Sequence, residues 1–157
     1  MIVLFAGTLM VLLSAAWIDV RKGRIPNILV FSLLLFETVI FVFGKRLFNA
    51  PVFTGPELYE RIKAFVLTIV CLYPFFAIGE LGAGDIKLLS VTVLSVINPL
   101  KFILIAFILG GALGIGKTVL QKKDLRTVRV SVQMALPILF AFIFSEWTFI
   151  TEVFRFG

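Results

Sequence analysis

Residues 2–18 read IVLFAGTLMVLLSAAWI, a predominantly apolar stretch that ends directly before Asp19. The stretch carries no charge, and roughly 17 to 25 such residues form a helix long enough to cross the hydrocarbon core of a bilayer. Because no basic segment precedes it, we expect a first transmembrane helix and not a cleaved signal sequence. The stretch therefore predicts a membrane protein whose first helix carries a carboxylate at its end.

The composition of the whole chain also indicates a membrane location. Of the 157 residues, 61% are hydrophobic and 15% are charged, whereas a soluble domain carries about 25% charged residues. We expect one integral-membrane domain over residues 1–157, with no room for a second sizeable soluble domain. The chain has no histidine and a single cysteine, Cys71. We therefore expect no histidine-ligated metal, no cysteine-cluster zinc site, no disulfide within the chain and no cofactor.

Six apolar segments predict an all-α fold, a polytopic membrane bundle of about six transmembrane helices. They cover approximately residues 2–18, 28–43, 62–78, 86–97, 102–119 and 132–150. The fourth segment is short, so we expect its helix to borrow residues on both sides. The connector over residues 44–60 is the longest, and we interpret it as an interfacial segment without a function of its own. Within it, Thr54 and Pro56 predict the start of a helix.

The basic residues between these segments predict the topology. Loops one, three and five hold the larger group, Arg21, Lys22, Arg24, Lys87, Lys122, Lys123, Arg126 and Arg129. Loops two and four hold the smaller group, Lys45, Arg46, Arg61, Lys63 and Lys101. The positive-inside rule places the larger group in the cytoplasm and both termini outside an inner (cytoplasmic) membrane. Because these residues occupy short loops, we attribute the net charge of +6 to topology and to membrane lipids, and not to nucleic-acid binding.

In this topology Asp19 and Asp85 both lie at the cytoplasmic boundary of the membrane. An acidic side chain near hydrocarbon is energetically costly and is a functional candidate for that reason. Two adjacent carboxylates resist ionising together, so one keeps a proton while the other is charged. Peptide hydrolysis needs that state, because one group must take a proton from water and the other must polarise the carbonyl. Glu37, in the middle of the second segment, should face a neighbouring helix or water and is a secondary candidate.

Glycines precede Asp85 at three positions. Gly79, Gly82 and Gly84 give this segment little helical preference, and glycine lets a backbone approach an extended substrate strand closely. We therefore expect Gly82 and Gly84 to position a substrate. The alternative is that the glycines only separate the third helix from the fourth.

Two motifs resemble those of one enzyme family. Residues 82–85, GAGD, match the GxGD signature of intramembrane aspartic proteases, and residues 84–89, GDIKLL, resemble the version found in prepilin peptidases. Residues 19–21, DVR, followed by residues 25–27, IPN, resemble the other aspartate motif of the same family. Both motifs, in this order and in a small chain with several spans, make the resemblance specific.

The resemblance implies an aspartic endopeptidase that cuts the short basic leader from type IV pilin-like precursors on the cytoplasmic side, with Asp19 and Asp85 as its catalytic pair. The precursor would be its protein partner, while the oligomeric state is not indicated. Larger members add an N-terminal region with paired cysteines and an N-methyltransferase activity, and this chain has one cysteine. The resemblance is therefore to the compact, peptidase-only members, such as those of tight-adherence pilus systems and the archaeal preflagellin peptidases.

Four further residues in the two motifs are supporting candidates, namely Arg21, Lys87, Pro26 and Asn27. Arg21 and Lys87 match positions of the family. The alternative for Arg21 is a positive-inside anchor, and the alternative for Lys87 is a side chain that extends to the membrane interface. Pro26 and Asn27 are expected at the start of the second helix, where proline is tolerated.

Two other functions stay open on the sequence alone. A transporter or channel would relay cations through Asp19, Glu37 and Asp85, and it predicts acidic residues spread across the depth of the membrane. A non-enzymatic assembly protein of a pilus or secretion machine predicts that both aspartates tolerate replacement by asparagine. Because Asp19 and Asp85 are expected at one face, the peptidase is the favoured interpretation.

Overall fold

The computed structural model describes residues 2–48, 55–78, 81–121, 134–147 and 151, and every regular element among them is a helix. In chain order the helices are α1 (Ile2–Lys22), α2 (Asn27–Phe48), α3 (Gly55–Ile78), α4 (Ala83–Val93), α5 (Pro99–Gln121) and α6 (Ala135–Ser145). The predicted all-α fold is confirmed, and the described helices follow the order of the predicted apolar segments.

Three stretches of the described helices are long and apolar enough to cross a membrane. They are Ile2–Lys22, Asn27–Gly44 and Pro99–Gly116. Helix α6 is apolar as well, and its described part has 11 residues. Many large apolar side chains point outward, and Met10, Ile28 and Leu100 are each at least 69% exposed. Lipid tails solvate such side chains well, so this exposed apolar surface fits a membrane protein.

Helix α4 lies at the centre of the bundle. It packs against α2, α3, α5 and α6, while α1 packs against α2 and α6. Leu88 and Leu89 of α4 join Leu12, Phe102 and Phe142 from the surrounding helices in one core, and each of these side chains is at most 2% exposed. The helix that carries Asp85 is therefore packed against four other helices.

Helix α4 is shorter than the predicted fourth segment. Its 11 residues span about 16 Å at 1.5 Å per residue, about half of the ~30 Å hydrocarbon core. It borrows residues at its start, but the prediction that it continues to Ile97 is wrong. The N–H groups of Leu94 and Ser95 each bond to a carbonyl three residues earlier at 3.0 Å, which tightens the helix end into a turn. Helix α5 then begins at Pro99, a residue suited to the first helical position.

The described residues of the predicted connector, 44–48 and 55–60, are helical. Helix α2 continues to Phe48, and α3 begins at Gly55 with Pro56 in its first turn. The helix start predicted there is confirmed, although Thr54 itself lies outside the described residues. Arg61, assigned from the sequence to a loop, is instead a partly buried residue in the second turn of α3. The basic residues of the fifth loop also lie outside the described residues.

Candidate active site

Asp19 lies in the last turn of α1, and its side chain is 3% exposed. The helix ends at Gly23, whose φ is +64° and whose N–H donates to the carbonyl oxygen of Asp19 at 2.7 Å. Glycine is the usual residue at this left-handed position because it has no Cβ that would clash. The turn at Gly23 ends α1 directly after the aspartate and returns the chain towards α2.

Asp85 is the third residue of α4 and is partly buried. Its carboxylate accepts hydrogen bonds from the backbone N–H groups of Gly82 and Met134. Gly82 is the residue just before α4 and has an extended backbone, with φ −71° and ψ 146°. A side chain at the third helical position that bonds back to this N–H is one half of a capping box. Asp85 therefore caps its own helix while its carboxylate also contacts the start of α6.

The first residues of α6 bring the two aspartates together. The N–H of Met134 donates to Asp85, and the N–H of Ala135 donates to Oδ2 of Asp19 at 3.4 Å. Two consecutive backbone amides thus bind one carboxylate each. The partial positive charge of a helix N-terminus stabilises negative charge at this position.

The electrostatics of the pair favour one shared proton. Asp85 precedes the apolar residues of α4 and lies at the end of that helix. Burial raises the pKa of Asp85 to about 7, the negative charge of Asp19 acts in the same direction, and the hydrogen bonds from Gly82 and Met134 oppose them. A carboxyl group with this pKa keeps its proton up to neutral pH beside an ionised partner. The pair therefore contains a proton donor and a proton acceptor at once.

Sequence reasoning missed Met134 and Ala135. Their backbone amides make these contacts whatever their side chains are, so no residue type marks them. The available signal is Pro137 in the first turn of α6, because proline is common where a helix begins. The apolar pattern alone predicts that this segment starts near residue 132, and it indicates no function for the turn.

Gly82 and Gly84 both have a packing reason to be glycine. A Cβ on Gly84 would lie 3.2 Å from the Cβ and 3.3 Å from the carbonyl oxygen of Ile25, so glycine lets the α1–α2 turn pack on α4. A Cβ on Gly82 would lie 2.9 Å from Oδ2 of Asp85. Gly82 is exposed whereas Gly84 is partly buried, so Gly82 is the one more accessible to a substrate. Gly79 lies outside the described residues.

Two of the supporting candidates, Lys87 and Asn27, link the two motifs. The Nζ of Lys87 donates to Oδ1 of Asn27 at 3.2 Å, which connects α4 to the start of α2. Helix α2 begins at Asn27, directly after Pro26, as predicted. The guanidinium of Arg21 lies 4.2 Å from the ring centroid of Trp17, and both side chains are exposed. This cation–π contact places Arg21 on the outer face of α1.

An apolar groove of about 690 Å³ lies between α2 and α3, with α4 as its floor. Phe31 and Leu34 line it from α2, and Phe65 and Ile69 line it from α3. Its α4 lining includes Ala83 and Lys87, which are two residues before and two residues after Asp85. One end of the groove therefore lies close to the aspartate pair.

Glu37 lies at a different level of the bundle from the aspartate pair. Its side chain is completely buried, and its Oε1 accepts a hydrogen bond from the hydroxyl of Ser95. The sequence predicts a neighbouring helix or water beside Glu37, and the structure places its partner Ser95 in the turn that follows α4. Ser95 follows α4 ten residues after Asp85, so about 15 Å separates the two levels along the helix axis.

Comparison with known proteins agrees with the two motifs. The chain matches the model of the type IV leader peptidase family over residues 6–119, which include both aspartates. Searches of curated proteins and of solved structures found no match. The family match covers well over half of the 157 residues. This chain therefore belongs to the type IV leader peptidase family and is a membrane peptidase.

Proposed function

We propose that this peptidase is an aspartic endopeptidase that removes the basic leader from type IV pilin-like precursors at the cytoplasmic face of the inner membrane. One observation carries the proposal: Asp19 and Asp85 bind consecutive backbone amides at the start of α6. Family membership supports leader cleavage, and the basic loops support the cytoplasmic face through the positive-inside rule. Residues 1–157 act as one integral-membrane domain.

The two carboxylates supply the acid and the base. Asp19, which accepts the N–H of Ala135, is ionised and takes a proton from a water molecule as that water attacks the scissile carbonyl carbon. Asp85 donates its proton to the carbonyl oxygen, so that a neutral tetrahedral diol forms. When the diol collapses, the C–N bond breaks, one hydroxyl returns a proton to Asp85, and Asp19 protonates the leaving amine. Both carboxyl groups regain their starting states, and no step uses a metal or a cofactor.

The groove receives the apolar segment of the precursor that follows the leader. Gly82 and Ala83 are exposed and lie within three residues of Asp85, and Ala83 also lines the groove. An extended leader junction that crosses the first turn of α4 at these residues reaches the carboxylates. Main-chain hydrogen bonding to an extended segment is a common way to hold a peptide, and the missing side chain of Gly82 leaves room for it.

The test is cleavage of a purified pilin-like precursor by the purified chain in detergent. We expect Asp19→Asn and Asp85→Asn each to lower kcat by about 10²–10⁴-fold, with mass spectrometry locating the wild-type cut at the leader junction. Glu60→Gln is the matched control, because Glu60 is an exposed carboxylate on α3. Wild-type rates in either aspartate variant would exclude the two-aspartate mechanism. A chelator should leave the rate unchanged.

The same proteins test the two other functions. A cation relay predicts ion flux in liposomes that is lost in Glu37→Gln, Asp19→Asn and Asp85→Asn alike. A non-enzymatic assembly protein predicts that both asparagine variants still support assembly. The peptidase is preferred because the two aspartates share one level near α6, while Glu37 bonds to Ser95 at another level.

A further inference from the structure

The turn between α4 and α5 covers residues 94–98, and its first three residues are buried inside the bundle, whereas Ile97 and Asn98 are exposed. Leu94, Ser95 and Val96 are 6%, 5% and 0% exposed. Thr8, which contacts this turn, is six residues from the start of α1, so the turn lies about 9 Å inside that end of the bundle. The buried backbone N–H and C=O groups of residues 94–96 therefore need hydrogen-bond partners within the bundle.

Charged side chains from two helices pair with the backbone of this turn. The Nη1 of Arg61, on α3, donates to the carbonyl oxygens of Leu94 and Val96, the latter at 3.0 Å. Glu146, at the end of α6, accepts the N–H of Ile97 on Oε1 at 2.9 Å. The guanidinium and the carboxylate thus bind carbonyl and amide groups of the turn that follows helix α4.

A second set of contacts holds the side chain of Ser95. Its hydroxyl bonds to Oε1 of Glu37 on α2, and it lies 3.1 Å from the hydroxyl of Thr8 on α1. Thr8 and Glu37 are both completely buried. Helices α1, α2, α3 and α6 therefore each contribute one polar side chain to the same turn, which we call the α4 anchor (Thr8, Glu37, Arg61, Ser95 and Glu146).

We propose that Arg61, Glu37 and Ser95 are positioning residues for peptide cleavage, because the α4 anchor fixes the axial position of α4 and so holds Asp85 beside Asp19. The inference rests on the proposed function of the aspartate pair. Helix α4 is one rigid element of 11 residues, so a displacement at its far end moves Asp85 as well. A misplacement of about 1 Å at reacting groups lowers a rate by as much as ~10²-fold.

Two pairs of variants test the anchor in the full chain. Arg61→Met removes the donor to two carbonyl groups, and Lys63→Met is its control, because the Lys63–Glu60 ion pair is 3.7 Å long and 60% and 65% exposed. Ser95→Ala removes the hydroxyl that bonds to Glu37. Ser145→Ala is its control, because the buried hydroxyl of Ser145 bonds within its own helix, to the carbonyl oxygen of Phe142 at 3.1 Å.

We expect kcat for precursor cleavage to fall about tenfold or more in Arg61→Met and several-fold in Ser95→Ala, with KM unchanged within about twofold. Glu37→Gln should keep most of the rate, because its amide oxygen still accepts from Ser95, whereas Glu37→Leu should not. A rise in KM with unchanged kcat, or equal losses in Lys63→Met and Ser145→Ala, would overturn the inference.

A distance measurement separates this inference from the proposed function. Spin labels are attached at Val20→Cys and Lys87→Cys, two exposed positions near Asp19 and Asp85. Every sample also carries Cys71→Ser, so the labels report only the separation of α1 and α4. The distance distribution should broaden in Arg61→Met and Ser95→Ala but not in Lys63→Met. A narrow, unchanged distribution in both anchor variants would reject the anchor whether or not the chain cleaves the precursor. Absence of cleavage by wild type, with broadening in the anchor variants, would reject the proposed function and keep the anchor's mechanical role.

Discussion

Replacing Asp85 by asparagine should stabilise the folded chain at alkaline pH while it lowers kcat for cleavage. The ordinary pKa of the side chain is 3.8, and the folded structure raises it to about 7, chiefly through burial and secondly through the charge of Asp19. The folded state therefore binds a proton that the unfolded state releases between these two values. By linkage, this proton stabilises the fold below pH 3.8, and its contribution is lost as the pH rises through about 7.

The size of the effect follows from the two pKa values. At 1.36 kcal/mol per pKa unit, the rise from 3.8 to about 7 corresponds to an upper limit of about 4 kcal/mol at pH 8. The measured value should be smaller, because Asp85 is only partly buried and solvent screens its charge. Asparagine stays neutral at every pH and keeps an oxygen that accepts the N–H of Gly82 or Met134. The stability difference between Asp85→Asn and wild type should therefore grow between pH 4 and pH 8.

The assay is unfolding in mixed detergent and dodecyl sulfate micelles at a series of pH values, followed by circular dichroism. Glu60→Gln, which replaces an exposed carboxylate on α3, is measured in parallel as the control. A difference for Asp85→Asn that does not change with pH would show that the Asp85 proton is not linked to folding. A variant less stable than wild type at pH 8 would refute the reasoning altogether.

Two further substitutions test the geometry around the pair. Gly84→Ala should lower kcat about tenfold, because its added Cβ would lie 3.2 Å from the Cβ of Ile25 and would displace the first turn of α4. Gly111→Ala is the control and should have no effect on cleavage, because its added Cβ meets open space. Phe31→Ala removes an exposed aromatic side chain from the wall of the groove and should raise KM several-fold with little change in kcat. Leu35→Ala removes an exposed side chain of α2 that does not line the groove and should leave both constants unchanged. Equal KM values for the two alanine variants would argue against substrate binding in the groove.

The sequence predicted the features that depend on local chemistry. Residues 2–18 and the other long apolar runs predicted helices in the observed order. A membrane helix is recognised by its length and by its lack of charged residues, and both can be read from a single segment of sequence. Asp19 and Asp85 were expected at one level because each ends or begins an apolar segment. The structure agrees through two adjacent backbone amides, which no side-chain pattern could reveal.

The features that depend on packing between helices were not predicted. A membrane helix is apolar on nearly all sides, so its sequence gives little indication of which face meets which neighbour. The sequence pattern therefore groups Arg61 with the loop charges, although its guanidinium bonds to the backbone of the α4–α5 turn. Glu37 was expected to find a neighbour, but Ser95 could not be named as that neighbour from the sequence alone.

The short length of α4 explains how Asp85 is held in place. A helix that crosses the whole bilayer adjusts to it by tilting or shifting, at fractions of a kcal/mol per ångström. An unpaired backbone polar group in a water-free interior costs several kcal/mol. Because α4 ends inside the bundle, a shift along its axis breaks the bonds of Arg61 and Glu146 to the following turn. Because α4 is too short to cross the membrane, the carboxylate of Asp85 is held more stiffly along the helix axis than it would be on a complete span.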